Sequence, residues 1–88
     1  MPSDGGRAGP RLTLYGRSYC HLCDEMLAAL GPMREEFGLD IELVDVDSDA
    51  ALEQRLGSLV PVLTHAGVEL CHYHFDAPKV RAYLAKIR

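Results

Sequence analysis

Residues 12–30 read LTLYGRSYCHLCDEMLAAL, and the period of the apolar positions changes midway. Arg11 to Tyr15 alternates apolar and polar residues, as a half-buried strand does. From Cys20 onward the spacing becomes three and four, through Leu22, Cys23, Met26, Leu27, Leu30, Met33 and Phe37. That spacing predicts one buried face of a helix. Cys20 falls in the N-cap region, with Asp24 and Glu25 in the first turns, where acids suit the helix dipole. Gly31-Pro32 predicts a kink or a break.

Beyond this helix, residues 40–47 (DIELVDVD) alternate again and predict a strand, expected at the centre of the sheet. Residues 47–57 predict a short helix, with Ser48 or Asp49 as N-cap and Gly57 as the stop. LVPVLTH (59–65) and VELCHYH (68–74) are joined by Ala66-Gly67 and read as an antiparallel hairpin. Asp76 caps a last helix, with Pro78 in its first turn and Val80, Tyr83, Leu84 and Ile87 as its apolar stripe. The order is β-α-β-α-β-β-α. A helical crossover makes the first two strands parallel and right-handed in their connection. The economical assembly is an α/β fold: a four-stranded mixed sheet flanked by three helices. No internal repeat is present in the sequence.

The 88 residues suffice for one core, with 48% apolar and 25% charged residues, as in an ordinary globular domain. Residues 1–10, with three glycines and two prolines, are expected to form a flexible tail ahead of one domain over 11–88. A net charge of −4 without a Lys/Arg run argues against nucleic-acid or membrane-surface binding. The N-terminal segment lacks the apolar core of a signal peptide, and no apolar run approaches a membrane span. The expectation is therefore a cytoplasmic, monomeric protein. In a reducing compartment a close cysteine pair serves metal binding or catalysis more often than structure.

Cys20 and Cys23 are three apart at a helix start, which places their Cα atoms roughly 5 Å apart, within disulfide range. Their sulfurs should differ. Cys20 meets free backbone N–H groups and the positive end of the helix dipole, which favour the attacking thiolate. Cys23 lies one turn on, where burial disfavours its thiolate. Cys20 is thus the expected nucleophile, with a lowered pKa, and Cys23 the resolving thiol. His21, when protonated, would favour the thiolate, while Asp24 and Glu25 oppose it. Two other readings stay open: a binding or redox-sensing module without turnover, and a metal or Fe–S carrier through the pair.

Other residues carry less chemistry. Cys71 reads as a small buried hydrophobe. His72 and His74 share one strand face and Cys71 the other, so with His65 they make a poor zinc site, and no metal is expected. Asp45, Asp47 and Asp49 lack the glycine and glutamate of a calcium loop. Pro61 marks either a strand boundary or a cis peptide beside the cysteines.

Strand, Cys-x-x-Cys and helix coincide with VPVL (60–63), VDVDSD (44–49) and FDAPKVRAYL (75–84). Together these resemble the thioredoxin-like fold and, within it, the small bacterial glutaredoxin-like family often labelled a domain of unknown function. The resemblance implies a cis Val60-Pro61 facing the disulfide, with the Val60 backbone open to an extended peptide or to glutathione. It implies substrate contacts from Arg17, Tyr19, His21, Leu22, Val60 and Pro61, and an acid, Asp76, toward the amino end of glutathione. It implies no bound cofactor, glutathione as a co-substrate, a disulfide-containing protein or small thiol as partner, and a separate reductant. The sequence departs from typical glutaredoxins in having His74-Phe75 where they carry Gly-Gly, and His21-Leu22 between the cysteines.

Overall fold

The computed structural model describes residues 9–87, so most of the expected 1–10 tail lies outside the described residues. Strand β1 (Arg11–Gly16) leads to helices α1 (His21–Ala29) and α2 (Gly31–Phe37), then strand β2 (Asp40–Asp45). A 3-10 turn (Val46–Ser48) and α3 (Ala50–Leu56) precede the hairpin β3 (Val62–His65) and β4 (Val68–His72), and α4 (Ala77–Ile87) closes the chain. The sheet order is β2-β1-β3-β4, with β1 parallel to β2 and antiparallel to β3. This is the expected α/β architecture, with the first helix in two segments.

The break between α1 and α2 falls at Leu30, because Pro32 has no N–H to offer the preceding turn. Leu30 keeps a helical backbone, so Met26, Leu30 and Met33 stay on one buried face. Gly38, at φ 68°, ends α2 in the left-handed conformation glycine adopts without steric cost.

One strand is not where its apolar content suggested. The 40–47 segment was expected at the centre, yet β2 is an edge strand and leaves Leu43 61% exposed. Its acids suit an edge, where charge is solvated and blocks further pairing. Arg11 pairs with Asp40 at 2.9 Å across the ladder. The strand also stops at Asp45 rather than running to Asp47. Asp45 Oδ1 accepts from the Asp47 N–H at 2.8 Å and its carbonyl from Ser48 Oγ at 2.6 Å, which turns the chain into the 3-10 segment and buries Val46. Asp49 is the cap of α3, accepting from the Ala51 N–H at 2.8 Å.

The hairpin turn is Ala66-Gly67, with φ 50° and 83°. Positive φ at both central residues is the type I′ signature, whose twist matches that of the flanking strands. Alanine is costly there, since the left-handed region crowds its Cβ against the carbonyl. Ala66→Asn is expected to stabilise the domain by about 1 kcal/mol, raising Tm by roughly 4–8 °C in a thermal melt.

The register slips between Leu63 and Thr64, so sequence neighbours Leu70 and Cys71 are both buried. β4 ends at His72, two residues short of the expected strand, and Tyr73 takes φ 63°. In α4, Asp76 Oδ1 accepts from the Lys79 N–H at 3.1 Å, and Val80 and Leu84 are buried. Ile87, expected on the apolar stripe, is 38% exposed beyond the sheet's cover. Arg81 donates to both carboxylate oxygens of Glu36 at 2.5 and 2.6 Å, tying α4 to α2. The main core joins Leu12, Leu14, Met26, Leu30, Met33, Leu63, Leu70, Val80 and Leu84. No helix among the described residues is long and apolar enough to cross a membrane.

Candidate functional site

Strand register gathers the site at one end of the sheet. Gly16, the last residue of β1, pairs with Asp45 of β2. Tyr15 pairs with Val62, so Pro61 continues the antiparallel partner beside Gly16. Tyr73 donates its N–H to the Pro61 carbonyl at 2.9 Å. The row Asp45, Gly16, Pro61, Tyr73 therefore crosses the sheet, and the β1–α1 loop delivers the cysteines onto it.

Cys20 and Cys23 are joined by a disulfide, with Cα atoms 5.2 Å apart. Cys20 is the N-cap of α1 in extended conformation, and its Sγ accepts from the Cys23 N–H at 3.2 Å. A cysteine thus fills a place usually taken by Ser, Thr, Asp or Asn. The N–H that caps through sulfur also stabilises negative charge on it once the pair is reduced. Cys20 is half-buried, while Cys23 is 8% exposed. A Cβ on Gly16 would lie 3.0 Å from Cys23 Sγ, so the absence of a side chain there makes room for the sulfur.

Around the pair, Tyr19 has φ 56° and a fully exposed ring directly before Cys20. His21 is exposed and Leu22 half-buried. The Val60-Pro61 peptide is cis, with Val60 half-buried and Pro61 buried. Arg17 is tied down: it donates to the Gly57 carbonyl at 3.0 Å and pairs with Glu53 at 3.4 Å and Asp47 at 3.5 Å. A Cβ at Gly57 would lie 2.5 Å from the Glu53 carbonyl oxygen, a backbone atom, and 2.7 Å from Arg17 Nη2, so glycine suits this packing. Asp76 is exposed, with Oδ1 engaged in capping α4.

The remaining candidates disperse. His65 contacts the Tyr83 hydroxyl at 2.7 Å, and His72 pairs with Glu69 at 2.7 Å. Among the described residues no group of three or more His, Cys, Asp or Glu side chains is placed to hold a metal ion. Burial pushes the Cys71 thiol above its ordinary pKa, which keeps it protonated and unreactive. Sequence reasoning missed Gly16, Asp45 and Tyr73 as members of the site. A glycine ending the strand before the cysteines was the available signal for Gly16. Nothing local marks a tyrosine for φ 63°; its OH donates to the Ser58 carbonyl at 2.9 Å, a tertiary contact.

Residues 11–85 match the glutaredoxin-like domain (DUF836). A solved structure of a Nitrosomonas europaea protein is similar, with TM-score 0.76 and 34% identity over 92% of this chain and 98% of that one. An X-ray structure of an X. campestris protein is 46% identical, covering 85% of this chain and 96% of that one, with TM-score 0.71. Thioredoxin 1 from Thermosipho africanus shares the fold at TM-score 0.60 and 21% identity, over 88% and 97% of the two chains. The architecture is thioredoxin-like.

Proposed function

Because the chain belongs to the glutaredoxin-like domain family, we propose that it is a thiol–disulfide oxidoreductase working in a reducing compartment. The observation that supports this most is the Cys20–Cys23 disulfide at the start of α1, with the Cys23 N–H directed at Cys20 Sγ. Reduced Cys20 attacks a substrate disulfide as the thiolate and forms a mixed disulfide. The Cys23 thiolate then attacks Cys20 Sγ, expels the substrate thiolate and closes the pair. A separate thiol donor reopens it.

The substrate lies along Tyr19, His21-Leu22 and Val60-Pro61, with the Val60 backbone pairing to an extended segment. A glutathione carboxylate at Arg17 has to compete with Asp47, Glu53 and the Gly57 carbonyl. The absence of Gly-Gly before Asp76 also works against close approach of that tripeptide. Both points favour a protein or peptide disulfide as substrate, with glutathione as an optional co-substrate.

Cys23→Ala tests the order of attack. The variant is expected to accumulate a mixed disulfide on Cys20 when mixed with an aromatic or peptide disulfide, seen as a mass increase that dithiothreitol removes. An adduct on Cys71, or none in a folded variant whose Cys20 alkylates normally, would count against the mechanism.

A further inference from the structure

Tyr73 follows β4 with φ 63°. The left-handed region crowds the Cβ of any residue but glycine. The His74 N–H also closes onto the His72 carbonyl at 2.7 Å, which makes Tyr73 the central residue of a three-residue turn. With positive φ at its centre, such a turn is the rare and strained γ form. Burial does not account for it, since Tyr73 is 42% exposed and stands outside the main core. Strain of this kind persists only where surrounding contacts determine the conformation.

The contacts that hold Tyr73 run to one segment. Its N–H donates to the Pro61 carbonyl at 2.9 Å and its hydroxyl to the Ser58 carbonyl at 2.9 Å. One residue therefore fastens both ends of the 58–61 loop. Arg17, from the loop that leads to Cys20, holds the preceding carbonyl, that of Gly57, at 3.0 Å. The His72 imidazole packs edge to face with the Tyr73 ring, 4.8 Å between centroids, and is itself paired with Glu69 at 2.7 Å. Among the described residues, the Val60 N–H and carbonyl make no hydrogen bond. The loop is thus held at its ends and open at Val60.

We propose that Tyr73 is a positioning residue: it fixes the 58–61 loop in one conformation, which presents the Val60 peptide groups to the main chain of an extended peptide disulfide. The proposal rests on the redox reading above and names what sets its preference for peptides. A loop ordered before the substrate arrives spares the binding step the entropy of ordering it. That gain reaches only substrates that pair with Val60. A disulfide without peptide groups draws nothing from it.

The experiment mixes pre-reduced protein with excess disulfide and follows the loss of its thiols in a single turnover. Cys20 and Cys23 become the disulfide and the substrate leaves as two thiols, so no further reductant enters. One substrate is a short peptide dimer joined through a single cysteine in each chain. The other is 2-hydroxyethyl disulfide. The preference is the ratio of the two second-order rate constants, peptide over small disulfide.

Tyr73→Phe keeps the ring and loses the bond to Ser58. It is expected to lower the preference about five-fold, the size expected of one hydrogen bond. The fall comes through a higher half-saturating peptide concentration and not through a lower limiting rate. Tyr73→Gly, which suits φ 63° and keeps the turn, is expected to lower the preference at least as far. Tyr83→Phe is the control. It also loses a tyrosine hydroxyl contact, to His65 at 2.7 Å, but on α4, and its preference is expected to equal that of the wild type. An unchanged preference in Tyr73→Phe, an equal fall in Tyr83→Phe, or a fall carried by the limiting rate overturns the proposal. Failure of the proposed function reads differently: wild type is then oxidised by neither disulfide, and the positioning role falls with it.

Discussion

Cys20→Ala is expected to bring disulfide reduction down to the rate of buffer, a loss on the order of 10³-fold or more, as for other nucleophiles removed from a catalytic pair. Three thiols are present, and their surroundings rank them. Cys20 alone accepts a backbone N–H from the first turn of α1, at 3.2 Å. Cys23 is 8% exposed, and its sulfur lies against Gly16. Cys71 is buried, and its thiol is pushed upward in pKa by desolvation. Neither has the combination of access and thiolate stability that attack on an external disulfide requires. Alanine also removes the cap of α1, at a cost of about 1 kcal/mol. Cys20→Ser separates the two effects, because its hydroxyl caps the helix but does not exchange with disulfides. Both variants should be inactive in a turnover assay with an aromatic disulfide, while only the alanine variant melts earlier than the reduced wild type, which like both variants lacks the Cys20–Cys23 cross-link. Full activity in either variant would remove Cys20 from the mechanism.

Leu63→Ala is expected to cost about 2–5 kcal/mol, enough to unfold much of a small domain whose total stability is typically 5–15 kcal/mol. Leu63 is fully buried in β3 and pairs with Leu14 on one side and Cys71 on the other. The cavity would open in the middle of the sheet, where neighbouring strands cannot collapse without losing register. Leu43→Ala makes the contrast. Leu43 also pairs with Leu14 but on the outer strand, 61% exposed. Its loss is expected to fall within about 0.5 kcal/mol, as for ordinary surface substitutions. Urea titration of both variants, at unchanged m-value, checks the difference.

These two leucines show where reading the chain stops. Both sit in segments read as strands, Leu63 in an apolar run broken by one proline and Leu43 in an alternating stretch expected at the centre. Strand order and cover separate them: Leu63 lies on an inner strand within the core, while Leu43 lies on the outer strand and stays 61% exposed. The 40–47 segment looked central on its apolar content, while its acids carried the contrary signal of an edge. The end of that strand was hidden in the same way. Asp45 captures the Asp47 N–H and stops the ladder, a competition between side chain and backbone that periodicity does not register.

The helix-start cysteines, the break at Gly31-Pro32, the Ala66-Gly67 turn and the Asp76 cap were legible because each is a local preference of the backbone. They depend on a dipole, a missing N–H, a positive φ or a short polar side chain, and each acts within a few residues. Element order and the β-α-β-α-β-β-α class follow from these. Tertiary structure alone decided which strand became the edge, which residues stand across from the cysteines and how Arg17 is employed. It brought Asp45, Gly16, Pro61 and Tyr73 into one row. Such neighbours come from strand register and burial summed over the whole sheet. No segment carries that information by itself, because the free energy of pairing belongs to two strands at once.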